Sequence, residues 1–394
     1  MEGIRGENLN NVTTVYLNGR IDSNNAAEAE NAILEIAEAY PDSALVIDAG
    51  GLEYISSAGL RIILHLRKQE MDMKIVNVDS EVYEILDMTG FTQMLPVEKA
   101  YREVSVEGCE VIGQGANGVI YRIDHDIVVK VYKHADALEE IQHEREVARK
   151  ALILGIPTAI SYDVVRVGDS YGSVFELLDA QSFSQIMAAH PEKLDWCVDE
   201  YVSMLKKIHG TLVPKGDLPA IREQAVDYAG VMRDHLPADA AEKVWSLVQA
   251  IPQNDHMIHG DYHTKNLELT EKEVLLIDMD TLAVGHPILE LAPMYAAFVG
   301  YGEVNPGNIA DFQGYSFEMA NEFWHRSLSK YLGTTDESRI REVEDKARVL
   351  AYVQMIGWEI RNGGLEDEQT RAEVEHWTKN LLELLPVVDT LEFA

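Results

Sequence analysis

Apolar positions in the first hundred residues follow two alternating rhythms. Val12–Leu17 and Ala44–Ile47 are short runs rich in Val, Ile, Leu and Thr, and they predict strands. Between them, residues 24–40 carry Ala27, Ile33, Ile36 and Ala37 at roughly helical spacing and predict a helix. Ser57 stands where an N-cap would, just before the periodic stretch 60–66. Residues 74–78 predict another strand, and residues 81–88 a short helix ended by Gly90. The alternation predicts a small α/β domain.

A short polar stretch, 100–108, carries Glu103, Ser105 and Glu107 and marks the join. The expected domains are therefore 1–104 and 105–394. Beyond the join the pattern changes and no repeat is visible. A Gly-rich turn from Gly113 leads into strands, residues 138–154 predict a helix, and residues 171–177 a strand. After Phe183 the pattern is mostly helical, apart from a strand over 274–277, and residues 310–394 read as wholly helical.

Composition narrows the class. A chain of 394 residues with 46% apolar content has room for two domains with real cores. Runs such as 294–299 are too short to span a bilayer, and the N-terminus lacks the basic start and apolar stretch of a signal peptide. A cytoplasmic protein without membrane attachment is expected. Cys109 and Cys197 show no paired spacing, against a disulfide framework or a zinc site. The net charge of −34 repels phosphate backbones and argues against nucleic-acid binding. It favours a cationic substrate or a basic partner, or serves solubility alone, which is the plainer reading.

Four short motifs carry chemistry, and their order matters more than any one of them. Gly113, Gly115 and Gly118 lie in a Gly-rich turn of the kind that lets backbone approach phosphates, although alone it is more readily a β-turn. Lys130 interrupts the apolar run Val128-Val129-Lys130-Val131, where burial is costly unless the charge is paired. It would reach α- and β-phosphate oxygens, held by a carboxylate from the following helix; Glu146 is favoured over Glu144. In His259-Gly260-Asp261-Tyr262-His263-Thr264-Lys265-Asn266, Asp261 suits the carboxylate that orients an attacking hydroxyl and accepts its proton. Asn266 supplies an oxygen ligand for Mg²⁺, while His259 braces the loop. Asp278 ends the apolar run Leu275-Leu276-Ile277 and suits a second Mg²⁺ ligand, with Asp280 either a helper or a turn residue. Together the motifs predict an α+β bilobal protein-kinase-like fold, with a small lobe over 106–180 and a helical large lobe over 181–394.

The second domain resembles the aminoglycoside phosphotransferase and choline kinase group. The resemblance rests on Gly260-Asp261 with Asn266, on Ile277-Asp278, on Glu144-Arg145-Glu146 followed by Gly155-Ile156-Pro157, and on Leu205 to His209. Glu290-Leu291-Ala292 stands where the group more often has Asp, and Met279 replaces a common aromatic. The resemblance implies an ATP or GTP donor, Mg²⁺ and a hydroxyl acceptor on a small molecule of unknown identity. The Ala-Pro-Glu signature of ordinary protein kinases is missing.

The first domain resembles the STAS family of the anti-sigma-factor antagonist type. The carrying residues are Leu17 to Asp22, Leu45 to Asp48, Tyr54 to Arg61 and Met88 to Phe91. The resemblance implies a regulatory or docking role toward a protein partner, with Ser57, or Ser56 beside it, as a phosphoacceptor. A phosphate there would meet free N–H groups at a helix N-terminus. A phosphotransferase with a regulatory domain is the leading expectation. A kinase acting on a protein serine and a non-catalytic nucleotide-binding module are the alternatives.

Overall fold

The computed structural model describes residues 4–41, 43–68, 73–115 and 118–393, so Ala116 and Asn117 of the Gly-rich turn lie outside the described residues. The chain divides into two compact units, residues 1–105 with 164–169, and residues 106–163 with 170–394.

In the first unit, β1 (Ile4–Leu9) and β2 (Val12–Ile21) form an antiparallel hairpin. Asn10 and Asn11 form its tip with φ of 50° and 63°, a two-residue turn whose positive φ values match strand twist. Then come α1 (Ala26–Glu38), β3 (Ala44–Ile55), α2 (Ser57–Lys68), β4 (Met73–Val78), α3 (Ser80–Met88) and β5 (Val97–Lys99). The sheet order is β1-β2-β3-β4-β5, with β2 to β5 parallel. Alternate residues Val15, Leu17, Leu45, Ile47 and Ile75 pack with Ile33, Leu66, Val82 and Leu86 of the helices, so the covered face of the sheet is the core. The strands β2 and β3 run longer than their apolar cores suggest, because parallel pairing continues through Gly51 and Leu52 to Ile55.

The start of α2 departs from expectation. Ser56, not Ser57, is the cap: its Oγ accepts the Ala58 N–H at 3.2 Å and its carbonyl the Leu60 N–H at 2.9 Å. Ser57 is the first helical residue and is exposed. Gly59 lets this helix start lie close to the sheet, since a Cβ there would come within 2.6 Å of Ile55 Cγ1 and 2.9 Å of Ile21 Cγ2.

In the second unit, Glu110–Gln114, Gly118–Arg122, Ile127–Tyr132 and Ser170–Glu176 pair antiparallel. Helix Leu138–Ile153 buries Ile141, Glu144, Val147, Ala148 and Ala151, a helical stripe with one carboxylate in it. Helices then dominate. Helix Ile288–Phe298 is buried nearly all round, and Glu337–Arg361 packs against it and against Arg222–Val231 and Glu368–Leu384. Short strands escape the periodicity argument because they are too short to show a period. Met257–Ile258 pairs with Ala283–Val284, and Leu267–Thr270 pairs with Val274–Leu276 and with Ala180–Ser182. These pairings hold the two loops that carry Asp261 and Asp278. Among the described residues, no helix is long and apolar enough to cross a membrane.

Candidate active site

Lys130 lies mid-strand, with the sheet on either side of it, and its side chain is 16% exposed. Its ammonium lies 3.1 Å from Glu144 Oε2 and 3.2 Å from Asp278 Oδ1. Burial works against its charge, but the Glu144 and Asp278 carboxylates outweigh that and raise its pKa. The Tyr132 hydroxyl also donates to Glu144. The expectation that Glu146 would hold Lys130 is corrected here: Glu146 faces solvent and pairs with Lys150 at 2.6 Å, one turn along its own helix. The reason is helical phase. Glu144 falls on the buried stripe with Ile141, Val147 and Ala148, and Glu146 falls outside it.

The loop between strands Met257–Ile258 and Leu267–Thr270 presents Asp261. Glu290, fully buried on the following helix, accepts the His259 N–H at 2.6 Å and the Gly260 N–H at 2.9 Å. His259 Nε2 lies 3.2 Å from the Ile277 carbonyl, and the Thr281 hydroxyl donates to the His259 carbonyl at 2.7 Å. Gly260 adopts φ 88°, and a Cβ there would come within 2.8 Å of the Thr281 carbonyl oxygen. His259 is thus a brace between the loop and the Asp278 strand, in agreement with its sequence. His263 Nε2 lies 3.3 Å from Asp261 Oδ2. Burial opposes ionisation of Asp261, but the His263 hydrogen bond and charge, with His259 and Asn266, hold its pKa below the usual value.

Asn266 Nδ2 donates to the Asp261 carbonyl at 2.9 Å, which turns the amide oxygen away from that contact and leaves it to accept or to ligate. The Ile277 N–H donates to the Asn266 carbonyl at 3.0 Å, so Asn266 and Asp278 are tied through adjacent strands. Asp278 itself has φ 60°, an uncommon conformation for a non-glycine that turns the chain at the strand end. Asp280 follows on a short turn. Its carboxyl is pushed up to about 7 by burial and then by the charges of Asp278 and Glu144. Asp278, Asp280 and the Asn266 amide offer oxygen donors, the kind that suits a hard divalent cation such as Mg²⁺.

Gly115, Gly118, Lys130, Glu144 and Asp278 line one cleft of about 440 Å³ that extends past Phe175 to Gln185 and Glu268. Gly113 does not line it. Gly118 has a packing reason as well, since a Cβ would meet the Val131 carbonyl oxygen at 2.5 Å, whereas a Cβ on Gly115 would meet nothing within 4 Å. Sequence reasoning missed Glu268, a carboxylate in the cleft that burial pushes up to about 7. It also missed Tyr132 and His263, whose roles depend on neighbours far along the chain. A second cavity, of about 480 Å³, opens at Asp261 among the helices and shares no lining residue with the first.

A sheet lysine paired with a helix glutamate, a looped Asp and Asn, and a strand-end Asp define the class: a phosphotransferase of kinase fold. Residues 108–322 match the phosphotransferase enzyme family, more than half of the chain, and the chain belongs to that family. Residues 4–104 match the STAS domain. BtrV of Bordetella bronchiseptica, described as an anti-sigma factor antagonist, is 34% identical over 79 residues, covering 18% of this chain and 68% of that protein. Among solved structures, ADP-bound aminoglycoside phosphotransferase APH(2'')-Ib is similar at 14% identity and a TM-score of 0.48, covering 78% of this chain and 99% of that one. A choline/ethanolamine kinase family protein from Mesorhizobium loti is similar at 17% identity and a TM-score of 0.44, covering 70% and 87%.

Proposed function

We propose that this chain moves the γ-phosphoryl group of ATP or GTP to a hydroxyl of a small molecule. The observation that carries the reading is the convergence of the Glu144 and Asp278 carboxylates on the Lys130 ammonium, each within 3.2 Å of it, on the cleft that Gly115 and Gly118 also line. Lys130, held by Glu144, orients phosphate oxygens. Asn266 and Asp278, with Asp280 beside them, hold Mg²⁺, which when bound neutralises charge on the phosphates. Asp261 holds the acceptor hydroxyl and takes its proton. The acceptor oxygen bonds to the γ-phosphorus, and the bond to the β–γ bridging oxygen breaks. The nucleoside diphosphate leaves with that electron pair.

The STAS domain, by its likeness to BtrV, engages a protein partner. Ser57 is the better phosphoacceptor there, because the Ser56 hydroxyl is occupied as a cap while Ser57 is exposed. A phosphate on Ser57 would add about −1.5 to −2 charge to that face. Both cysteines are free, which suits a reducing cytoplasm.

The test is Mg²⁺-dependent turnover of γ-labelled ATP and GTP by the full chain, wild type against Asp261→Ala, across small hydroxyl acceptors. Label on an acceptor, lost in Asp261→Ala, is the expected result. Label on the protein alone would make this a protein-directed kinase. Nucleotide binding without turnover would make it a switch module.

A further inference from the structure

The cavity at Asp261 has a character that the chain as a whole does not share. Tyr228, Tyr301, Phe312 and Trp358 line it, together with Gln224 and Gln354. Among the described residues, Asp261 is the only carboxylate that lines it, in a chain with a net charge of −34. The expectation of a cationic substrate therefore finds no cluster of lining carboxylates to support it there.

Two of the four rings already carry cations from the protein. The Arg361 guanidinium lies 4.9 Å from the Tyr228 ring centroid, and the Lys265 ammonium 4.7 Å from that of Phe312. Arg361 is neutralised by Asp227 at 2.8 Å. Lys265 does not itself line the cavity, but its ammonium rests on the ring of Phe312, which does; among the described residues no carboxylate lies within ion-pairing distance of it, and it stands on the same loop as Asp261, one residue before Asn266. An entering polycation would meet this unpaired ammonium and a single carboxylate, itself committed to the acceptor hydroxyl. An anionic group would pair with Lys265, a flat ring would pack against the aromatic wall, and the amides would hydrogen-bond its polar edge.

We infer that the acceptor is a small hydroxyl compound with a flat ring and an anionic group, carboxylate or phosphate, and not a polyamine. The inference rests on the phosphotransferase reading and names the substrate class of the same site.

The experiment uses the full chain loaded with Mg²⁺ and ADP for binding, and with Mg²⁺ and ATP for turnover. Three probes are compared: 4-(hydroxymethyl)benzoate, its uncharged benzamide, and the polycation neamine. Binding is read by ligand-observed NMR and phosphorylated product by phosphorus NMR. The benzoate is expected to bind up to about fivefold tighter than the benzamide, the reach of one partly exposed ion pair. Neamine is expected not to bind, and Lys265→Glu to reverse the benzoate preference while keeping the wild-type melting point. Tighter binding or phosphorylation of neamine, no binding of either ring probe at millimolar concentration, or a benzoate preference that survives Lys265→Glu would each overturn the inference. The two readings fail differently. Phosphorylated neamine would sink the acceptor class and keep the phosphotransferase. Lys265-dependent benzoate binding with no product and no nucleotide turnover would keep the cavity's preference and sink the phosphotransferase.

Discussion

Lys130 Nζ lies 3.1 Å from Glu144 Oε2, so the carboxylate that holds the cleft lysine stands two residues before the one its sequence neighbourhood favoured. Both partners are largely buried, with side chains 16% and 11% exposed, whereas the Glu146 side chain is 65% exposed. Removing Glu144 leaves the buried Lys130 ammonium with Asp278 alone and the Tyr132 hydroxyl without its acceptor, at a cost of about 1–3 kcal/mol. Glu144→Ala should lose about that much in chemical denaturation and raise the KM for nucleotide. Glu146→Ala breaks only a surface pair and should change stability by less than about 0.5 kcal/mol. Equal effects of the two substitutions would refute the pairing.

Asp261 touches His263 and Asn266 and neither Lys130 nor Glu144. Asp261→Asn keeps its shape and removes the proton acceptor. Turnover should fall by about 10²–10⁴-fold, with nucleotide affinity, measured by calorimetry, within a few-fold of wild type. A parallel loss of nucleotide binding would place Asp261 among the metal ligands instead.

Asp280, pushed up to about 7, makes stability depend on pH. Its folded pKa lies above the unfolded value, so between about pH 4 and pH 7 the folded chain holds a proton that the unfolded chain has released. Stability from this group is therefore present at the acid end and lost as pH rises toward 7. Glu268, also pushed up to about 7, acts in the same direction. Asp280→Asn removes one of the two contributions, so its melting temperature should fall less steeply than wild type over that window and exceed wild type at about pH 8. Identical profiles would show that Asp280 ionises normally.

Gly118 and Gly115 separate packing from openness. A methyl on Gly118 would press on the Val131 carbonyl oxygen at 2.5 Å, and on Gly115 it would meet nothing within 4 Å. Gly118→Ala should destabilise by about 1–3 kcal/mol, and Gly115→Ala should fold as wild type. Differential scanning of both variants decides it.

In the STAS domain, Ser56→Ala removes a cap and should cost about 1 kcal/mol, while Ser57→Ala, at an exposed first-turn position, should cost little. A larger loss for Ser57→Ala would reassign the cap.

What the chain declares by itself is local. The alternation around Val15 and Ile47, the helical stripe around Ile141 and Val147, and the sequential run Gly113, Lys130, Asp261, Asn266, Asp278 follow from side-chain type and spacing, because strand and helix periods are properties of neighbouring residues. Those features sufficed for two domains, a kinase-like fold and, in the cleft, Gly115, Gly118, Lys130 and Asp278. Pairings between distant segments had no such sign. Which glutamate meets Lys130 depends on how helix Leu138–Ile153 is rotated against the sheet. Which serine caps α2 depends on where the strand before it ends. The two-residue strands that hold the Asp261 and Asp278 loops exist only because their partners lie opposite. The cavity at Asp261 gathers Tyr228, Phe312 and Trp358 from three helices, so its aromatic wall, and the seat of Lys265 on the Phe312 ring, arise from packing and not from any run of residues. Net charge sums over the whole surface, while a binding wall is the few side chains that packing turns inward, and only the tertiary structure decides which those are.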